Sequence, residues 1–330
     1  MKKLVDDKGQ IRWGIYDEAI EDVNYLDYTL QTPMDLKIPK TLKRLLANQF
    51  HFIGIMGPDV IGGLAVVDLK FIANGFFYLY DRKRSKLTEA TALSVFPSSA
   101  RIGTSPEQPL STFSSGGLKI RIDSTSVSAK GKGISMDINL DASGTRPLRI
   151  CTRAGYRDWV YTQKTSPVLV KGTASIGESK FELDSPSTRA LMDWTCGYMR
   201  RKTCWNWAAS AATMTDGRSL GLNLSCGVNE TSFTENAFWI DGIMTKVDTV
   251  NYVFDSSDLL KPWHIKSFDN KVDLTFHPEA SRGEKINAGL IASRFTQLIG
   301  EFQGYLRSDA GELIQIKDCP GFAEDHYAKW

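Results

Sequence analysis

Alternation of apolar and polar residues with period two, broken at short intervals by turn-forming residues, runs through most of the chain and limits it to an antiparallel β architecture. In "LKIRID", Leu118, Ile120 and Ile122 share one face; in "ISMDINL", Ile134, Met136, Ile138 and Leu140 do the same. Successive strand residues point to opposite faces, so this pattern buries one side of a sheet. The polar, glycine-containing "SAKGKG" between the two runs reads as a hairpin connection. Asp216-Gly217, Asp241-Gly242, Asp269-Asn270 and "SDAG" (308–311) are further turn signals flanked by strand-like sequence. Many short strands with such turns indicate a mainly β protein, a sandwich or barrel. Helices are few. "PKTLKRLLANQ" (39–49) groups Leu42, Leu45 and Leu46 on one helical face, and "SPSTRALMDW" (185–194) opens on cap-like residues.

The two halves share a pattern. "NQFHFIGIMGPDVIGGLAVV" is followed by "NGFFYLYD", and "CWNWAASAATMTDGRSLGLNL" by "ENAFWIDG". Each reads as an aromatic-polar-aromatic triplet, a turn, a glycine-containing strand, then an aromatic strand ending in Asp. Phe50, His51 and Phe52 then correspond to Trp205, Asn206 and Trp207, and Asp81 to Asp241. By this correspondence Asn74-Gly75 opens a strand, although local turn chemistry alone reads it as a hairpin. A duplication implies β-domains over 1–165 and 166–330, with a seam rich in Ser, Thr, Pro and Gly within 165–190.

A chain of 330 residues is long enough for two such cores. Forty basic against 38 acidic residues leave +2, too little for a nucleic-acid or anionic-membrane surface, so nucleic acid is not an expected partner. The opening "MKKLVDDKGQ" lacks the apolar core of a secretory signal. The most apolar window, 52–67, is short and interrupted by Pro58 and Asp59, so no integral membrane segment is expected. Five cysteines without CxxC spacing then read as reduced thiols of a cytoplasmic protein, and the sequons at Asn223 and Asn229 as chance matches.

Common catalytic signatures (GxGxxG, GxxxxGK[ST], HExxH, GxSxG) do not occur. His51, His264, His277 and His326 are not spaced as metal ligands, so neither a metal nor an organic cofactor is expected. His51 and His326 read as hydrogen-bonded structural residues. The stretch 193–241 stands out instead. Asp193, Trp194, Trp205, Asn206, Trp207, Asn223, Glu235, Asn236, Trp239 and Asp241 mix carboxyl and amide groups with four of the eight tryptophans. Apolar walls carrying a few hydrogen-bonding groups are the usual build of a small-molecule site. Trp205 and Trp207 share one strand face and Asn206 takes the other. A carboxyl group between indoles is desolvated, which suits it to general-acid work. The same tryptophans also suit a plain core. Glu235 and Asn236 either enter a pocket or satisfy a sheet end; Gln163 and Lys164 lie either in an interdomain cleft or at a solvated strand end.

"GYRDWVYTQKTSPVLVKG", "CWNWAASAATMTDGRSLGLNLSCG", "TENAFWIDG" and "GFAEDHYAKW", with "LVDDKGQIRWGIYD" and "NQFHFIGI" at the start, resemble the bacterial domain of unknown function numbered 2804. The resemblance spans nearly the whole chain. It implies two tandem lipocalin-like antiparallel barrels or sandwiches, similar to those of carotenoid hydratases, kievitone hydratase-like proteins and some Diels–Alder cyclases, which bind apolar ligands. No catalytic motif of those proteins maps onto this sequence residue by residue.

The leading expectation is therefore a hydrophobic small molecule bound in a barrel or interdomain pocket and processed by a hydratase, cyclase or isomerase. Glu235, then Asp193, are the candidate acids. Asn206 and Asn236 would orient substrate or water, Trp205, Trp207 and Trp239 would form apolar walls, and Asn223 and Gln163 are further candidate contacts. A non-catalytic lipophile carrier is the alternative, and a carbohydrate-binding or carbohydrate-processing β-protein the third reading.

Overall fold

The computed structural model describes residues 1–228, 233–287 and 292–329; Asn229 lies outside them. Two antiparallel sheets account for most of the chain, thirteen-stranded and nine-stranded among the described residues. In the first, Asn48–Met56, Val60–Asp68, Ala73–Asp81 and Lys86–Ser94 form a meander, and the closing strand Ser179–Tyr198 returns to pair with Asn48–Met56. The second repeats this path. Lys202–Thr213, Ser219–Cys226, Ala237–Ile240 and Ile243–Lys246 run in order, and the closing strand Leu313–Lys329 pairs with Lys202–Thr213. The internal correspondence read from the two aromatic triplets is thus a correspondence of topology. Asn74-Gly75 lies inside the strand Ala73–Asp81.

The division expected at 165/166 falls within the strand Trp159–Ile176, and sheet membership changes between Tyr198 and Lys202. Each sheet curls around its own apolar core. Tyr161, Trp194, Cys196 and Ile53 belong to the first core, and Leu222, Phe238, Trp263 and Phe302 to the second. A third cluster, with Phe52, Tyr78, Leu191, Trp207 and Phe322, joins the outer faces of the two sheets. Along these central strands both faces are therefore apolar, as in sheets covered on two sides.

Turn chemistry behaves as the sequence indicates. Asp241 (φ 49°) and Gly242 (φ 77°) take the left-handed conformations of a two-residue hairpin turn, and Asp241 Oδ1 accepts from Ser219 N at 2.8 Å. The other Asp-containing turn signals also lie between paired strands.

Three local expectations change. The "SAKGKG" connection belongs largely to a strand, Ser126–Gly131, so residues 118–141 form a three-stranded meander rather than one hairpin. Val127 and Ala129 are its inward residues, and the small Ala129 weakens the alternation. Residues 185–194 are not helical but lie in Ser179–Tyr198. The pairing jumps from Leu169–Arg189 to Lys171–Asp184, so the cap-like residues bulge opposite Val170, whose N–H donates to Ser185 Oγ at 3.1 Å. The helix at 39–49 forms over Lys40–Leu46, but it leaves its leucines outward. Among the described residues no helix is long and apolar enough to cross a membrane.

Candidate functional site

Strand parity and register explain which side chains meet between the sheets. On Trp159–Ile176, Val160, Thr162 and Lys164 face outward, whereas Trp159, Tyr161 and Gln163 face the first core. Directly across the ladder, Lys164 pairs with Asp193 and Thr162 with Thr195. On the second sheet Trp207 and Gln297 flank Glu324, while Trp205 and Phe295 flank His326. Val160, Lys164, Asp193, Thr195, Glu324 and His326 line a cavity of about 280 Å³ between the sheets, with Phe50, Phe52, Val67, Phe76, Trp205 and Trp207 among its walls. The duplicated triplets face each other across it: Phe52 and Trp207 meet edge to face at 5.7 Å. His51 and Asn206, the middle residues, turn away. His51 is fully buried, with Nδ1 3.0 Å from Ser111 Oγ, and Asn206 Nδ2 donates to Glu324 O and Asp325 Oδ1.

Polar groups gather at one part of this apolar space. Lys164 Nζ lies 2.5 Å from Asp193 Oδ2 and 3.7 Å from Glu235 Oε1, and all three side chains are buried. Burial opposes the ammonium charge, but the two carboxylates outweigh it and hold the Lys164 pKa above its ordinary value. Asp193 Oδ1 also accepts from Thr195 Oγ1 at 3.2 Å. Glu324 is a third buried acid of the cavity. Gln297 Nε2 donates to its Oε1 at 2.6 Å and Trp205 Nε1 approaches its Oε2 at 3.4 Å. Burial pushes its pKa up to about 7, against the lowering pull of these donors and of Arg282, with Asp193 adding repulsion. Arg282 reaches across the sheets to Glu89 and lies over the rings of Phe76 and Tyr78. Asn74, also in the wall, has a buried Oδ1 without a hydrogen-bond partner among the described residues. His326 rests on Trp205, with ring centroids 4.1 Å apart, and burial lowers its pKa to about 3.

The stretch "TENAFWIDG" divides its residues between roles. The strand starts only at Ala237, and ahead of it Glu235 enters the cavity while Asn236 turns back into its own hairpin. Asn236 Oδ1 accepts from Ser225 N, and its Nδ2 donates to Asp248 O. Trp239 is buried against Leu148 and Ile150 and donates to Arg146 O at 2.7 Å, outside the cavity. Asn223 bridges Trp207 Nε1 (2.9 Å) and Glu235 O (2.8 Å), positioning one wall and one carboxylate. Of the expected residues, Asp193, Glu235, Trp205 and Trp207 line the cavity and Asn223 supports it; Asn206, Asn236, Trp239 and Gln163 do not line it. Lys164 and Glu324 complete the polar cluster. The parity of "YTQK" and "GFAEDHYAKW" would have put both on one face with Val160 and His326, but parity does not say which face meets the other sheet.

The fold is shared with solved structures at very low identity. CghA aligns with a TM-score of 0.54 and 8% identity over 100% of this chain and 97% of that one. CghA with Sch210972 gives 0.55 and 8% over 99% and 96%. Kievitone hydratase from Nectria haematococca gives 0.50 and 9% over 86% and 88%. The two curled sheets are thus a tandem lipocalin-like fold. No curated protein sequence matches the chain. The profile of a family described as "Domain of unknown function (DUF2804)" matches residues 1–330.

Proposed function

The chain belongs to the DUF2804 family, and from that premise and the chemistry of the cavity we propose that it binds an apolar small molecule between its two sheets and transfers a proton to it, as a hydratase, cyclase or isomerase would. The observation that carries this reading is a buried acid, Glu324, in a space walled by aromatic and aliphatic side chains. With its pKa raised to about 7, a large fraction of Glu324 is protonated at neutral pH and can donate. The Lys164 cluster carries one cation and two carboxylates. Its excess negative charge, together with the faces of Trp205 and Trp207, would stabilise positive charge developing on the ligand. Glu324 thereby takes the donor role expected for Glu235, with Glu235 and Asp193 as fixed charges around Lys164.

The test starts with native mass spectrometry of the protein from its own cells, with extraction of any bound molecule as the substrate scaffold. Glu324→Gln is expected to lower turnover by about 100-fold or more with ligand affinity retained. Undiminished turnover in that variant sinks the donor assignment. A bound molecule recovered unchanged, with no product detectable under any condition, would make the cavity a carrier's.

A further inference from the structure

The helix Lys40–Leu46 is amphipathic with its faces reversed. Lys43, half-buried, points toward the protein, where its Nζ donates to Leu26 O at 3.2 Å and Tyr28 O at 2.5 Å. Leu42, Leu45 and Leu46 are 43%, 49% and 47% exposed. Burial of apolar surface is the ordinary fate of leucines in a short helix, so three outward leucines fixed by an inward lysine form a surface that water alone does not favour.

The position of this helix matters. It ends two residues before Asn48–Met56, whose Phe50 pairs with Val67; Asn74 pairs with Leu93 on the neighbouring strands. Phe50, Val67, Leu69, Ile72 and Leu93 all line the cavity, so the helix stands at the end of the sheet where the cavity opens. Phe71, Val95 and Phe96, on the two loops at this end, are also exposed, and Leu93 is both exposed and in the wall. Apolar surface therefore continues from the outside of the molecule into its interior. Lys37, Lys40 and Arg44 are exposed around the leucines, form no ion pair among the described residues, and belong to a stretch, 36–58, without an acidic residue.

We propose that this end docks on an anionic lipid surface, with Leu42, Leu45, Leu46, Phe71, Val95 and Phe96 entering the interface and Lys37, Lys40 and Arg44 meeting lipid phosphates. Exposed leucines beside three cations match the chemistry of such a surface. Of the neighbouring carboxylates, Asp27 lies near Lys43 and Asp35 is paired with Arg157, so Lys37, Lys40 and Arg44 make a local basic patch that the net charge of +2 does not express. Docking brings the mouth of the cavity against the acyl region, so an apolar ligand passes between membrane and protein without crossing water. This last step rests on the ligand-binding role proposed above; the docking itself does not.

The test is co-sedimentation of the full chain with phosphatidylcholine vesicles, with and without roughly one-third phosphatidylglycerol. Pelleting with the anionic vesicles, weakened by salt, is expected. The combined Leu42→Asn, Leu45→Asn and Leu46→Asn variant should lower vesicle affinity about tenfold or more, with an unchanged circular dichroism spectrum because the side chains are already exposed. Absence of pelleting by the wild-type chain, or unchanged affinity of the variant, overturns the proposal. So does light scattering that shows a dimer dispersed by the same substitutions, since a second copy would then cover this face. Titration with N-phenyl-1-naphthylamine in the absence of vesicles reads the cavity separately. Vesicle binding without probe binding would leave docking standing and remove the ligand-binding reading.

Discussion

Lys164 holds the polar cluster together, because it is the cation between two buried carboxylates, Asp193 and Glu235. Replacing it with Met removes the partner and leaves two charges in a low-dielectric space. Lys164→Met is expected to cost about 3–5 kcal/mol, read from denaturant midpoints, and an additional loss of Asp193 should recover part of it. Glu324 makes a different prediction. Its folded pKa of about 7 lies above its ordinary 4.5, so the folded state binds the proton more tightly than the unfolded chain. That contribution is fully present below about 4.5 and is lost as pH rises through about 7. Stability should therefore fall across this window by on the order of 3 kcal/mol from this one group, and Glu324→Gln should flatten that part of the profile. An unchanged pH profile in the variant would refute the raised pKa. Chemistry-bearing residue types around 193–241 were readable as sequence. Glu324 was not, since it comes from the closing strand more than eighty positions beyond Glu235 and only the register with Trp207 and Gln297 brings it in.

Among the elements, the strand Ser219–Cys226 shows how closely the two sheets approach. A Cβ on Gly221 would stand 2.1 Å from Ser166 O of the first sheet, a backbone atom that cannot move aside cheaply. Gly221→Ala is expected to destabilise by about 2–3 kcal/mol, measured by chemical denaturation, whereas Gly217→Ala, with open space around it but a φ of 88°, would report only turn strain. Hairpins carried by Asp-Gly and Asp-Asn pairs were legible because a turn's conformation is set by its own residues. Residues 185–194 were not. Ser185 and Ser187 look like helix caps, yet pairing on both sides of the strand outweighs that local preference, and they form a bulge instead. The leucine face of Lys40–Leu46 was legible as periodicity, but its outward direction depends on carbonyl groups of Leu26 and Tyr28 that anchor Lys43.

At the scale of the molecule, the sheets are joined by the cluster around Phe52, Tyr78, Trp207 and Phe322 and by Arg82 with Glu279 and Glu301. Such a shared interface couples their unfolding. Calorimetry should give a single transition, and Phe322→Ala, at a fully buried site, should lower the stability of the whole by about 3–5 kcal/mol without splitting it. Two separated transitions would show that each sheet folds alone. The sequence by itself determined that the chain is mainly β, that its halves repeat, where most turns lie, and that Phe50, Phe52, Trp205 and Trp207 occupy equivalent strand faces. These follow from backbone geometry, in which side chains alternate and turn residues act locally. Only the tertiary structure decided which face closes on a core and which meets the other sheet. Both faces of the central strands are apolar, so pattern alone is degenerate there, and the choice is made by curling and docking between residues far apart in the chain.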